Sequence, residues 1–300
     1  MCFGLISTEP IWPMRWRNFT AATADMAPQL APPKIGNLGL RVLSALVMLP
    51  LAIAAVWMGG FIFAALLSVA AAAMCWELST LCGEKGSPVM IVSICAAVAA
   101  PILEVTIGFD AAAIAVVAGT LTVLIYCRWR RSVNWSILVI GIPYIVLGIT
   151  AAGWLRGTPD TGLLTVLWLV GVVVATDVGA YFSGRAIGGP KLAPVISPNK
   201  TWSGLAGGAM LAGCVGLFVG VGSAEATPGA VTAASVVLAV VAQMGDLVES
   251  AVKRHFDVKD ASNLIPGHGG FLDRFDGYLT VMPAAALMSV AGGGSPLIWQ

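Results

Sequence analysis

Charge is scarce in this chain. Only 10% of its 300 residues are Asp, Glu, Lys or Arg, against 58% hydrophobic residues and a mean hydropathy of +0.90. That balance excludes an ordinary soluble domain. Paired cysteines are lacking too: Cys2, Cys75, Cys82, Cys95, Cys127 and Cys214 are scattered without a CxxC pair, which argues against a disulfide framework or a zinc site. No signal peptide is expected, because Arg15 and Arg17 are not followed by an apolar h-region and a small-residue cleavage site.

Long apolar runs are what the chain has instead. Windows near 40–58, 60–82, 88–104, 111–127, 136–155, 163–182, 203–222, 229–250 and 271–291 each approach the roughly 20 helical residues needed to cross about 30 Å of hydrocarbon. They predict an all-α, polytopic integral membrane protein with nine transmembrane helices. A net charge of +1 says little, but its placement says more. With the N-terminus inside, 14 of the 16 basic residues fall in inside segments; Arg156 lies outside and Arg274 within a span. The positive-inside rule then predicts an N-in, C-out orientation. Residues 1–39, with five prolines and no helical apolar period, are expected to be a mobile cytosolic tail. Residues 40–160 read as a scaffold of five spans and 161–300 as a catalytic region of four.

The first five spans hold one clearly embedded charge, Glu77, read here as a carboxylate near the cytosolic end of span two, close to Lys85 and interfacial water. From residue 177 onward every inside segment is chemically loaded. Asp177 and Tyr181 lie one turn apart on one helical face. In the loop 185–204, Ser197, Lys200 and Thr201 gather donors and a cation where a Ser-Pro start would open the next helix. That is a favourable place for an anion, or an ordinary N-cap in a solvated loop.

Residues 246–276 concentrate five Asp, one Glu, two Arg and two Lys. Asp246, Glu249, Ser250 and Lys253 are spaced i, i+3, i+4 and i+7 and share one face of span eight. A carboxylate at the depth of Asp246 needs a cation: either Lys253 bending back, or a metal ion. Asp273 and Asp276 lie one turn apart at the start of span nine. With an acid from the neighbouring helix they suit Mg²⁺, which takes a few carboxylates and fills its other positions with water and phosphate oxygens. A charge-neutralised pair with Arg274 is the competing reading. Between the two helices lies PGHGG, Pro266 to Gly270, which matches neither a Walker A loop nor a GxGxxG fingerprint. Its glycines permit a backbone folded round an oxyanion, and His268 either donates to phosphate or caps a turn.

The run SAVKR (Ser250–Arg254), then Lys259 and Asp260, then PGHGGFLDRFD (Pro266–Asp276), closely resembles the signature of phosphatidate cytidylyltransferases, also called CDP-diacylglycerol synthases. SPNKT (Ser197–Thr201) and DVGAY (Asp177–Tyr181) are also similar to family motifs. The likeness runs from roughly 163 to 292 and is only hydropathic before that. It implies an integral cell-membrane enzyme with its site facing the cytosol, joining CTP and phosphatidic acid into CDP-diacylglycerol with release of pyrophosphate. It implies Mg²⁺ as cofactor, a second, monovalent cation being left open, and a homodimer in the lipid bilayer with no nucleic-acid partner. By position, Asp246 and Asp273 match the family's metal-centre acids, and Lys253 a basic residue beside them. Asp276 is then a candidate to support the ligands, Lys200, Lys253, Arg254, Lys259 and Arg274 would hold phosphates, and Asp177 would orient a cation or ribose. Tyr181, Ser197, Thr201, Asp260 and His268 complete the expected substrate site. At Ser203 the chain departs from relatives, which often carry an acid or an amide there. A CTP-dependent lipid kinase acting on a polyprenol-type alcohol and a multi-pass transporter are the alternatives.

Overall fold

Nine helices occur among the described residues of the computed structural model, which are 36–223, 226–265 and 267–298. They are α1 (Gly36–Met58), α2 (Gly60–Leu81), α3 (Pro88–Thr106), α4 (Phe109–Arg130), α5 (Trp135–Gly157), α6 (Gly162–Ala186), α7 (Trp202–Gly222), α8 (Pro228–His255) and α9 (Leu272–Ala291). Seven of them, α2 to α8, are long and apolar enough to cross a membrane. The apolar part of α1 is the shorter Leu46–Met58, and α9 opens on Asp273, Arg274 and Asp276. Apart from 36–39, the tail expected over 1–39 lies outside the described residues, as does Pro266.

Local chemistry fixes several helix starts. Ser87 caps α3 by accepting the Met90 N–H at 3.4 Å, and Pro88 follows at a position where a missing N–H costs nothing. Thr201 caps α7 in the same way, accepting from Gly204 N–H at 3.1 Å. The Ser-Pro pair does not open that helix, contrary to the expectation from sequence. Ser197–Thr201 instead forms strand β2, paired antiparallel with β1 (Lys191–Ala193). A two-stranded hairpin leaves an unpaired edge on each strand, where Pro198 is tolerated.

Backbones touch where glycines allow it. A β-carbon on Gly179 would stand 2.6 Å from the Gly207 carbonyl oxygen, one on Gly208 2.7 Å from that of Thr176, and one on Gly216 2.7 Å from that of Val231. These residues let α6, α7 and α8 pack without a layer of side chains between them. Buried Trp168 ties α6 to α8 by donating from Nε1 to Ser235 Oγ at 2.9 Å. At the far end of the bundle Arg156 satisfies the last carbonyls of α1, donating from Nε to Val56 at 2.6 Å and from Nη2 to Trp57 at 2.9 Å. One continuous apolar core includes Met74 and Leu78 of α2, Ile142 and Ile145 of α5, Val172 of α6, Leu238 of α8 and Leu279 of α9. Around it Ile140, Phe218, Val221 and Leu287 are exposed, as suits a surface bathed in hydrocarbon rather than water.

Candidate active site

The polar end of α8 presents its acids inward. Asp246 Oδ1 accepts from Ser250 Oγ at 3.2 Å, and its Oδ2 lies 2.5 Å from Lys200 Nζ, delivered by β2. Lys253 Nζ stands 2.5 Å from Glu249 Oε2 and 2.7 Å from Asp273 Oδ1. Lys253 therefore serves Glu249 and Asp273 rather than Asp246, whose cation comes from Lys200. Both oxygens of Glu249 are buried, and Lys253 is its ion-pair partner. Asp246, Glu249 and Asp276 each bring a carboxylate oxygen into a group whose members lie within 4.8 Å of one another. This is the donor type and spacing that a hard divalent cation takes. Asp177 of α6 lies within electrostatic reach of the same acids.

The start of α9 is held by two carboxylates. Asp273 Oδ2 accepts from the backbone N–H groups of Ala261 and Gly270, both at 2.9 Å, leaving Oδ1 for Lys253. Glu77, from α2, accepts at Oε1 from Ser262 Oγ (2.5 Å) and Phe271 N–H (2.9 Å), and at Oε2 from Leu272 N–H (2.8 Å). It is fully buried. This corrects its placement beside Lys85 and interfacial water: the orphan amides of a helix N-terminus, and the positive end of its dipole, hold a carboxylate more firmly than water would.

Between the helices, Gly267 (φ 79°) and Gly269 (φ 86°) adopt the left-handed backbone that turns the chain back on itself, closed by a bridge between Ile265 and Gly269. Arg274 donates from Nε (2.9 Å) and Nη2 (2.5 Å) to the His268 carbonyl. It pairs with neither Asp273 nor Asp276, so the charge-neutralised pair of the competing reading does not form. His268 Nδ1 lies 2.8 Å from Ser44 Oγ of α1. Lys259, Asp260, Asn263, Gly267, His268, Gly269 and Arg274 line a polar cavity of about 470 Å³.

Of the residues expected from sequence, Lys200, Asp246, Lys253, Asp273 and Asp276 meet in the first group. Lys259, Asp260, His268 and Arg274 meet round the cavity. Asp177 borders the first group, and the rest serve elsewhere. Tyr181 is exposed and its hydroxyl accepts from Arg185 at 3.0 Å. Thr201 caps α7, Ser197 lies in β2, and Arg254 donates to the carbonyls of Ile196 and Val258, both at 3.3 Å, joining the hairpin to the end of α8. Sequence reasoning missed Asn263 and the direct involvement of Glu249 and Glu77. A lone acid in an otherwise apolar span is the signal that could have found the last.

Comparison with known proteins gives the family. The family described as "Cytidylyltransferase family" matches residues 39–291. A protein named phosphatidate cytidylyltransferase from Brucella suis biovar 1 (strain 1330) is 38% identical over 268 residues, covering 86% of this chain and 94% of its own. One of the same name from Bacillus subtilis (strain 168) is 46% identical over 130 residues, 43% of this chain and 48% of its own.

Proposed function

This chain belongs to the cytidylyltransferase family, and from that premise we propose that it transfers the cytidylyl group of CTP to phosphatidic acid, giving CDP-diacylglycerol and pyrophosphate. The observation that carries the reading is the convergence of Asp246, Glu249 and Asp276 beside the Asp273–Lys253 pair, inside the segment that the family matches. The nucleophile is the phosphate monoester of the lipid, whose second pKa is about 6. It is already mostly dianionic at neutral pH, so no Ser, Cys or His base is needed. One of its oxygens forms a bond to the α-phosphorus of CTP. The bond from that phosphorus to the α–β bridging oxygen breaks, and its electron pair leaves with pyrophosphate.

The difficulty is electrostatic: two anions must meet, and charge grows on the departing group. Asp246 and Asp273 are the proposed Mg²⁺ ligands, with Glu249 and Asp276 completing the acidic group. The ion, when bound, would neutralise phosphate charge and align the reacting groups. Asp273 would hold it through lone pairs of Oδ1 that Lys253 does not use. Lys200 beside Asp246 and Lys253 beside Glu249 and Asp273 can each turn an ammonium to a phosphate oxygen. Lys259 and Arg274 offer further positive charge in the adjoining cavity, and Asp177 orients a cation or ribose. Residues 161–300 then form the catalytic region and 40–160 its scaffold. α1 and α9 also cross the bilayer, making nine spans with N-in and C-out, and the loaded loops face the cytosol of a cell-membrane enzyme, where CTP is found. A homodimer follows from the family likeness alone.

Purified protein given labelled CTP, phosphatidic acid and Mg²⁺ tests the reading. A labelled CDP-lipid together with pyrophosphate supports it. Release of CDP would mark a lipid kinase, and no CTP turnover in detergent would leave the transporter reading.

A further inference from the structure

The proposed reaction leaves unused the most buried acid among the described residues. Glu77 sits in α2, in the half of the chain that carries no motif, yet its carboxylate accepts three hydrogen bonds from the loop and helix start that present Asp273. No ion pair of Glu77 occurs among the described residues; amides and one hydroxyl hold it instead. A second observation points the same way. A β-carbon on Gly270 would lie 2.7 Å from Glu77 Oε1, so a side chain there would push the carboxylate away. Gly270 also gives its N–H to Asp273 Oδ2. The consecutive amides of Gly270, Phe271 and Leu272 are thus shared between Asp273 and Glu77, and these two acids fix where the first turn of α9 begins.

We propose that Glu77 is a positioning residue of the catalytic centre: by clamping the amides of Phe271 and Leu272 and the hydroxyl of Ser262, it sets the position of α9 that aims Asp273 and Asp276 at the cation. The inference rests on the function proposed above for its meaning, but not for its test. Groups that orient metal ligands are worth about 10- to 100-fold in affinity or activity. In Glu77→Gln one oxygen is replaced by an NH₂ facing backbone donors, so at least one amide of α9 loses its acceptor. Glu77→Asp retains the charge with a shorter reach.

The test measures Mn²⁺ binding to the purified protein by electron paramagnetic resonance, together with turnover. Glu77→Gln is expected to weaken Mn²⁺ binding at least about tenfold and to lower kcat with little change in KM for CTP. Glu77→Asp should recover part of both. Gly270→Ala, which leaves every polar group in place, should reproduce the metal defect, and Ser262→Ala, which removes one donor from a loop, should give a weaker form of it. Normal Mn²⁺ affinity in Glu77→Gln, or in Gly270→Ala and Ser262→Ala should Glu77→Gln fail to fold, would overturn the inference and leave Glu77 a helix cap that serves stability only. A wild-type protein that binds Mn²⁺ but makes no CDP-lipid would overturn the proposed function, and the Mn²⁺ titrations would still decide the role of Glu77.

Discussion

Lys253 is the residue on which the two catalytic helices meet, its ammonium lying between Glu249 of α8 and Asp273 of α9. Lys253→Ala removes both a cation proposed to face phosphate and the ion-pair partner of buried Glu249. Turnover should therefore fall about 100-fold or more under saturating Mg²⁺, read as CDP-lipid formed by protein that still elutes as a folded species. An unchanged rate with a lowered unfolding temperature would make Lys253 a structural partner only. The i, i+3, i+4, i+7 spacing of Asp246, Glu249, Ser250 and Lys253 made their common face legible from sequence, because a helix has one period. Their partners were not legible. Lys200 comes from a hairpin before α7, and Glu77 meets Ser262, Phe271 and Leu272 from far back in the chain, contacts that no local pattern encodes.

At the scale of elements, hydropathy located every helix because each must bury or immerse a long apolar run. The window 88–104 became Pro88–Thr106 and 271–291 became Leu272–Ala291. The hairpin escaped notice: β1 is three residues and β2 five, the latter holding a proline, so alternation had no length in which to show. Gly179, Gly208 and Gly216 lie at helix contacts. Gly208→Val on α7 should accordingly force α6 and α7 apart, since even its β-carbon would stand 2.7 Å from the Thr176 carbonyl oxygen. The expected outcome is a loss of about 1–3 kcal/mol from overpacking, seen as a lower unfolding temperature in detergent. A variant as stable as the parent would show that this contact yields.

For the whole molecule, the charge asymmetry and the helix order make a topological statement. On the proposed topology, the turn around Lys85, the β1–β2 hairpin and the connection from α8 to α9 fall on one side, and the α5–α6 connection around Asp160 on the other. In a background with native cysteines replaced by alanine, Lys85→Cys and Asp160→Cys should react with a membrane-impermeant maleimide from opposite faces of the membrane, Asp160→Cys from outside. Labelling of both from one face would require a different number of spans between them. The single apolar core shared by α2, α5, α6, α8 and α9 explains why a scaffold helix can reach the catalytic loop.

The most direct measurement follows labelled CTP through purified wild-type, Asp246→Asn and Asp273→Asn proteins, with phosphatidic acid, with and without Mg²⁺. Wild-type protein should form CDP-diacylglycerol and pyrophosphate only when Mg²⁺ is present, and both variants should form essentially none while eluting as the parent does. Near-normal synthesis by either variant, or synthesis by the wild type in the presence of a chelator, would contradict a cation held between α8 and α9 as the centre of the reaction.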